Sequence, residues 1–169
     1  MSNNLLQPNW EAGISISDLP TNRFIELGIK ALVLDVDGTL IPNHQESLHK
    51  SVISWVKDAR KDFDLHLLSN NPSKKRIGSI SEQLNIQFTY KAAKPTRRAL
   101  RSVLQKLQFK PQETAIIGDR LFTDILAGNR LGLYTVLVLP IGPNGEASHS
   151  KKTQLIEQRI AQLLGAKKS

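Results

Sequence analysis

Residues 30–39 read KALVLDVDGT. The run from about Ala31 to Val36 is almost continuously apolar, the pattern of a strand buried on both faces of a sheet. Yet its end carries two carboxylates, Asp35 and Asp37, two residues apart. Ionised groups set together at the edge of a core repel each other and resist desolvation, so something must offset that cost. A metal ion or a phosphate-handling site would do so.

Outward from this strand the chain keeps one rhythm. Asp18-Leu-Pro-Thr opens a short helix that Gly28 ends. From Ser47, read as an N-cap, Leu48, Val52, Trp55, Val56, Ala59 and Phe63 recur at helical spacing. A strand Leu65–Leu68, a helix from about Ser73 to Leu84 and a strand Ile86–Thr89 follow. Then come a helix Pro95–Leu107, a strand Thr114–Ile117, a helix around Leu121–Leu131 and a strand Leu133–Leu139. Apolar strands separated by helices call for a parallel sheet covered on both faces, because each crossover must run through a right-handed βαβ unit. The expected fold is a three-layer, doubly wound α/β structure with five parallel strands and no cap domain. Residues 141–152, IGPNGEASHSKK, read as a loop, and a last amphipathic helix with Leu155, Ile156, Ile160, Leu163 and Leu164 ends at Gly165 before a basic AKKS tail.

The whole chain sets bounds on this reading. At 169 residues and 40% apolar composition it suits one domain: a lead-in over 1–29, a core over 30–140, and a C-terminal loop and helix over 141–169. No run approaches the roughly 18 apolar residues of a spanning helix, and the start resembles neither a signal nor a transit peptide, so a cytoplasmic location is expected. The absence of cysteine excludes disulfides and thiolate metal sites. A metal must therefore sit on oxygen or imidazole. The formal charge of +8 favours anionic partners: nucleic acid, an acidic membrane surface or a phosphorylated substrate.

In open parallel sheets, ligands bind beyond the carboxyl ends of the strands. Asp35 and Asp37 follow the first core strand; Ser69, Asn70 and Asn71 follow the second. Lys94 and Pro95 follow the third, and Gly118, Asp119 and, further on, Asp124 follow the fourth. Each set alone is ordinary turn or capping chemistry; together they should face one crevice. They are what phosphoryl transfer to a carboxylate requires. A phosphate monoester is dianionic and repels an aspartate nucleophile, so attack needs positive charge fixed in place beforehand. Mg²⁺ on carboxylate oxygens and one lysine ammonium would supply it.

DVDGT, a strand ending in Ser69, then Lys94, then GDRLFTD resembles the four-motif set of the haloacid-dehalogenase superfamily of phosphatases, over roughly residues 30–140. The resemblance implies roles. Asp35 would be the nucleophile that forms an aspartyl-phosphate, and Asp37 the general acid and then base. Ser69 and the amides near Asn70 would hold phosphoryl oxygens, while Lys94 would balance charge. Asp119 would complete a Mg²⁺ site with Asp35 and the Asp37 carbonyl, and Asp124 would be a supporting acid. Caps in this superfamily are inserted after the first motif or between the second and third. Here 29 residues separate Thr39 from Ser69 and 24 separate Ser69 from Lys94, room for one helix and its neighbours each. An open site follows, suited to large or surface-bound substrates.

The segments DLPTNRFIELGIKALVLDVDGTLIP and GDRLFTDILAGNRLGLYTVLVLP further resemble the capless branch that holds mitochondrial-type phosphatidylglycerophosphate phosphatases and their bacterial YqeG relatives. Many members carry Asn where this chain has Gly38. That resemblance implies hydrolysis of phosphatidylglycerophosphate to phosphatidylglycerol at the inner face of a membrane, with an anionic lipid headgroup as partner and peripheral association. Two basic clusters, Lys74-Lys75-Arg76 and Arg97, Arg98 and Arg101, should flank the crevice mouth and attract anionic headgroups. Phosphatases for nucleic-acid termini, phosphoproteins or a small phosphorylated metabolite are the rival readings, and a non-catalytic, receiver-like anion-binding domain is a third. An aromatic content of 5% leaves few residues for base stacking. Receivers place an aspartate after their third strand, where IQFTYKAA has none. His44, His49, His66 and His149 show no metal-type pairing, and Trp10 and Trp55 are expected to pack.

Overall fold

The computed structural model describes residues 4–148 and 152–164; His149, the helix end at Gly165 and the AKKS tail lie outside the described residues. In chain order the elements are β1 (Trp10–Glu11), α1 (Asn22–Glu26), β2 (Ala31–Leu34), α2 (Lys50–Ala59), β3 (Asp64–Leu68), α3 (Lys74–Leu84) and β4 (Phe88–Thr89). They continue with α4 (Arg97–Leu107), β5 (Thr114–Gly118), α5 (Leu126–Asn129), β6 (Tyr134–Leu137) and α6 (Lys152–Leu163). The strands form one sheet in the order β1-β6-β5-β2-β3-β4, every neighbouring pair parallel.

Both faces of the sheet are buried, which is why the strands read as unbroken apolar runs rather than alternating ones. Successive residues nevertheless part company. Leu32 and Leu34 of β2 join one core with Phe24, Val52, Trp55, Val56 and Ile77, while Val33 joins a second core with Leu100, Val103 and Leu104 of α4. Trp55 is 7% exposed and its indole N–H donates to the Leu19 carbonyl at 2.8 Å, so its polar end is satisfied inside the core. Trp10 packs against Phe24 at 6.0 Å between ring centroids, with the Arg23 guanidinium 4.3 Å above it.

The α/β class holds, and the strand count among the described residues is six rather than five. The additional strand is β1, a two-residue edge pairing Trp10 with Val136 and Glu11 with Leu137. Two residues carry no readable periodicity, so only tertiary pairing reveals it. Helix starts also shift. α2 begins after His49, whose Nδ1 accepts from the Ser51 amide, instead of after Ser47. The stretch after β5 is a wide π-type turn over Leu121–Ile125 that runs into the short α5.

α6 orients contrary to its apolar pattern. Glu157 and Ala161 turn inward, whereas Leu155, Ile156, Ile160 and Leu163 are exposed. The reason is an anchor: Arg120 donates to Glu157 Oε1 at 2.8 Å, and the Leu121 amide donates to Oε2 at 3.1 Å. One helix each spans the intervals from β2 to β3 and from β3 to β4, and no inserted cap is present among the described residues. No helix among them is long and apolar enough to cross a membrane.

Candidate active site

From β2, successive strands run outward in both directions, β3 and β4 one way, β5, β6 and β1 the other. The crevice at such a reversal is where doubly wound sheets bind ligands, and here it opens beyond the ends of β2 and β5. A cavity of ≈ 200 Å³ lies there, lined by Asp35, Asp37, Ser69, Asn70, Lys94, Asp119 and Asp124 together with Asn43, Asn71, Arg120 and Thr123. The structure thus brings all seven site residues expected from the sequence to one place.

Backbone geometry explains how. The Asp35 amide donates to the Ile117 carbonyl at 3.0 Å, extending the β2–β5 pairing by one residue and fixing Asp35 at the sheet edge. The chain then turns tightly: the amides of Thr39 and Leu40 both donate to the Val36 carbonyl, and Gly38 has φ +94°. That left-handed conformation suits glycine. The turn folds Thr39 back beneath Asp35, where its hydroxyl donates to Asp35 Oδ2 at 2.9 Å and lies 3.4 Å from Asp119 Oδ1.

Lys94 is the electrostatic centre. Its ammonium donates to Asp35 Oδ1 at 2.6 Å, Asp124 Oδ1 at 2.7 Å and the Leu68 carbonyl at 2.8 Å, and only 2% of its side chain is exposed. Burial works against its charge, yet Asp124 and Asp35 outweigh that and hold the ammonium above the ordinary lysine range. For Asp124 burial dominates: it pushes the carboxyl up to about 6, the Asp35 charge adds to the push, and Lys94 opposes it. Ligand-grade oxygens of Asp35, Asp119 and Asp124 lie within 4.8 Å of one another, all three residues buried. Gly118 makes room for this cluster, since a Cβ there would sit 2.3 Å from the Asp124 carboxylate.

Ser69 and Asn70 serve the same crevice differently. Ser69 is 1% exposed and its hydroxyl accepts from the Asn71 amide at 3.0 Å. Asn70 clamps the Lys94 backbone, accepting from its N–H at 2.7 Å and donating to its carbonyl at 3.0 Å. It positions the lysine as much as it lines the cavity.

A scan against family models matches residues 91–161 to the HAD-hydrolase-like family. The chain is 29% identical over 154 residues to a protein described as "Probable phosphatase YqeG" from Bacillus subtilis, covering 90% of this chain and 88% of that one. It is 43% identical over 97 residues to "Ribonucleotide monophosphatase NagD" from Escherichia coli, 56% of this chain but 39% of that longer relative. Among solved structures, the 3-deoxy-D-manno-octulosonate 8-phosphate phosphatase of Moraxella catarrhalis, in complex with magnesium, phosphate and KDO, superposes with a TM-score of 0.52. It covers 85% of this chain and 92% of that one at 16% identity. The chain is thus similar to haloacid-dehalogenase-type hydrolases and to proteins described as phosphatases.

Within this crevice, three residues to which motif reading gave no role become visible. Thr39 was in the quoted motif, without a role. Asn71 donates from Nδ2 to Asp37 Oδ2 at 3.0 Å. Arg76 leaves the basic cluster to turn inward: its Nη2 and Nε donate to Asp37 Oδ1 at 2.8 and 3.2 Å, and its Nη1 donates to the Gln45 carbonyl. The signal for Arg76 was its place three residues after the N-cap Ser73, in the first turn of a helix that starts at the strand end. Its neighbours Lys74 and Lys75, and Arg97, Arg98 and Arg101 of α4, are exposed.

Proposed function

We propose that this phosphatase hydrolyses phosphomonoesters through an aspartyl-phosphate on Asp35, uses Mg²⁺, and acts on phosphatidylglycerophosphate to give phosphatidylglycerol. The observation that carries the mechanism is the Asp35 carboxylate, held by Lys94 on one oxygen and Thr39 on the other, beside two further buried acids. The reading takes the described sheet and helices as one catalytic domain.

The donor set fits a hard cation: several carboxylate oxygens converge, with one ammonium to limit their repulsion and no cysteine in the chain. Asp35, Asp119 and the Asp37 carbonyl would hold Mg²⁺, with Asp124 supporting. When bound it would neutralise charge on the transferring phosphoryl group. Asp35 attacks phosphorus, and the bond to the leaving oxygen breaks as protonated Asp37 gives that oxygen its proton. Water then attacks the phosphorus of the aspartyl-phosphate while Asp37 takes its proton, releasing phosphate and restoring Asp35. Ser69 and the amides near Asn70 hold phosphoryl oxygens, and Lys94 keeps charge balanced throughout.

Three features support a lipid substrate: the resemblance of the lead-in, the uncapped crevice, and the exposed apolar residues of α6 with exposed lysines and arginines on α3 and α4. Peripheral contact with an anionic membrane surface accompanies this reading. A second reading, a small soluble phosphomonoester, is favoured by the similarity to the ribonucleotide monophosphatase NagD. Phosphate release from phosphatidylglycerophosphate vesicles, sugar phosphates and 3′-phosphorylated oligonucleotides separates them. The vesicles should be preferred, with Asp35→Asn inactive and EDTA abolishing turnover. Preference for a soluble class counts against the lipid, and turnover by Asp35→Asn or in EDTA rejects the mechanism.

A further inference from the structure

The catalytic cavity is too small to hold much beyond the phosphoryl group, since pockets for whole small molecules run to roughly 300–1,000 Å³. It continues outward, however. A second cavity of ≈ 430 Å³ is lined by Asp37, Asn43, His44, Glu46, Asn71 and Arg76, and it shares Asp37, Asn43 and Asn71 with the first. Asp37 lines both cavities, so with Asp37 as the acid that serves the leaving oxygen the leaving group lies on this outer side.

Arg76 is the one arginine or lysine among the described residues lining this outer cavity, facing the carboxylates of Asp37 and Glu46. Its side chain is 18% exposed, unlike the solvated Lys74 and Lys75 before it. A guanidinium has five N–H donors, and three of them are engaged, two on Asp37 Oδ1 and one on the Gln45 carbonyl. The remaining two have no hydrogen-bond partner among the described residues. Nearby Asn71 and Asn43 add neutral polar groups. This is an arginine fixed in direction, half neutralised and with donors to spare, at the place where the leaving group must lie. Glu46 at the exposed rim disfavours a second anion there, which confines it to the Arg76 side.

We propose that Arg76 is a specificity-determining residue that binds a second anionic group on the leaving-group side of the substrate, a phosphodiester or carboxylate. The inference rests on the phosphatase reading and sharpens it: the preferred substrate is a phosphomonoester whose alcohol carries its own negative charge. Engaging that charge also competes with Asp37 for the guanidinium, which leaves the Asp37 carboxyl able to turn toward the leaving oxygen. Binding of the correct leaving group and readiness of the acid are thereby coupled.

The test compares kcat/KM for three substrates: phosphatidylglycerophosphate in vesicles, its deacylated soluble headgroup glycerophosphoglycerophosphate, and glycerol 3-phosphate, which lacks the second anion. The wild-type enzyme should prefer the deacylated headgroup over glycerol 3-phosphate by about tenfold or more, the size of one charge-assisted hydrogen bond. In folded Arg76→Gln that ratio should collapse to within about threefold whatever happens to the absolute rate, and Arg76→Lys should keep part of it. A structural role would lower both rates together and leave the ratio alone. An unchanged ratio in Arg76→Gln, or no wild-type preference, overturns the proposal while the phosphatase reading stands. Release of phosphate from none of the three overturns that reading first. Given a collapsed ratio, vesicles outpacing the soluble headgroup identify a lipid as the source of the anion, and equal rates identify the free headgroup.

Discussion

Replacing Lys94 by methionine keeps the volume of the side chain and removes its charge. The ammonium pairs with Asp35 Oδ1 at 2.6 Å and Asp124 Oδ1 at 2.7 Å, with Lys94 and Asp124 almost fully buried. Breaking a buried ion pair by removing one partner costs about 3–5 kcal/mol, because the remaining charge has no compensation. Here two carboxylates would be left facing each other, so the upper part of that range is expected. Urea denaturation in EDTA, where no divalent cation substitutes for the ammonium, reads the cost directly. The Lys94→Met/Asp124→Asn double variant should lie above Lys94→Met alone, since the second change removes the repulsion between the two carboxylates. A coupling of about 1–3 kcal/mol between the two positions is the signature. Phosphate release by Lys94→Met should fall by roughly 10²–10³-fold, the usual consequence of losing one preorganised charge at a reacting centre. A loss of stability below about 1 kcal/mol, or strictly additive costs in the double variant, would refute the assignment of Lys94 as shared counter-ion.

Two other perturbations reach different parts of the argument. His66 is buried, with Nε2 2.9 Å from the Thr89 hydroxyl; burial, aided by the Lys106 charge, lowers its pKa to about 4. The folded protein therefore keeps His66 neutral where the unfolded chain protonates it, so stability is present above pH 6.5 and falls as the pH drops toward 4. Between pH 7 and pH 5 the loss is about 2 kcal/mol. His66→Gln should flatten the pH dependence of the urea midpoint by that amount, and an equal slope in both proteins contradicts the buried, neutral ring. Gly118→Ala drives a methyl group against the Asp124 carboxylate. It should destabilise by about 1–3 kcal/mol and lower phosphate release with it; a protein with unchanged melting and turnover would show that the approach is relaxed in solution.

Much of this architecture was readable because its causes are local. Strands buried on two faces write themselves as apolar runs, and strand-end residues inherit their position from the sheet, so Asp35, Ser69, Lys94 and Asp119 could be placed in one crevice without coordinates. What escaped depended on tertiary partners. β1 exists only because Trp10 and Glu11 find the free edge of β6. α6 turns its apolar stripe outward because Glu157 is tied to Arg120 and the Leu121 amide, residues 37 and 36 positions away. In the sequence Arg76 is one of three adjacent cations at the crevice mouth, and its inward turn follows from Asp37 being within reach of the first turn of α3.

The position of β2 in the middle of the sheet has a bearing on biosynthesis. One flank of this strand pairs with β3, whose residues begin at Asp64, but the other waits for β5, whose first residue is Thr114. While the ribosome adds the intervening stretch, the emerging polypeptide displays an apolar strand with one side of its hydrogen-bonding groups unsatisfied, the kind of edge that recruits foreign strands. Folding of the nascent enzyme is thus hazardous for about 80 residues of elongation, and it closes only when the segment bearing Asp119 arrives.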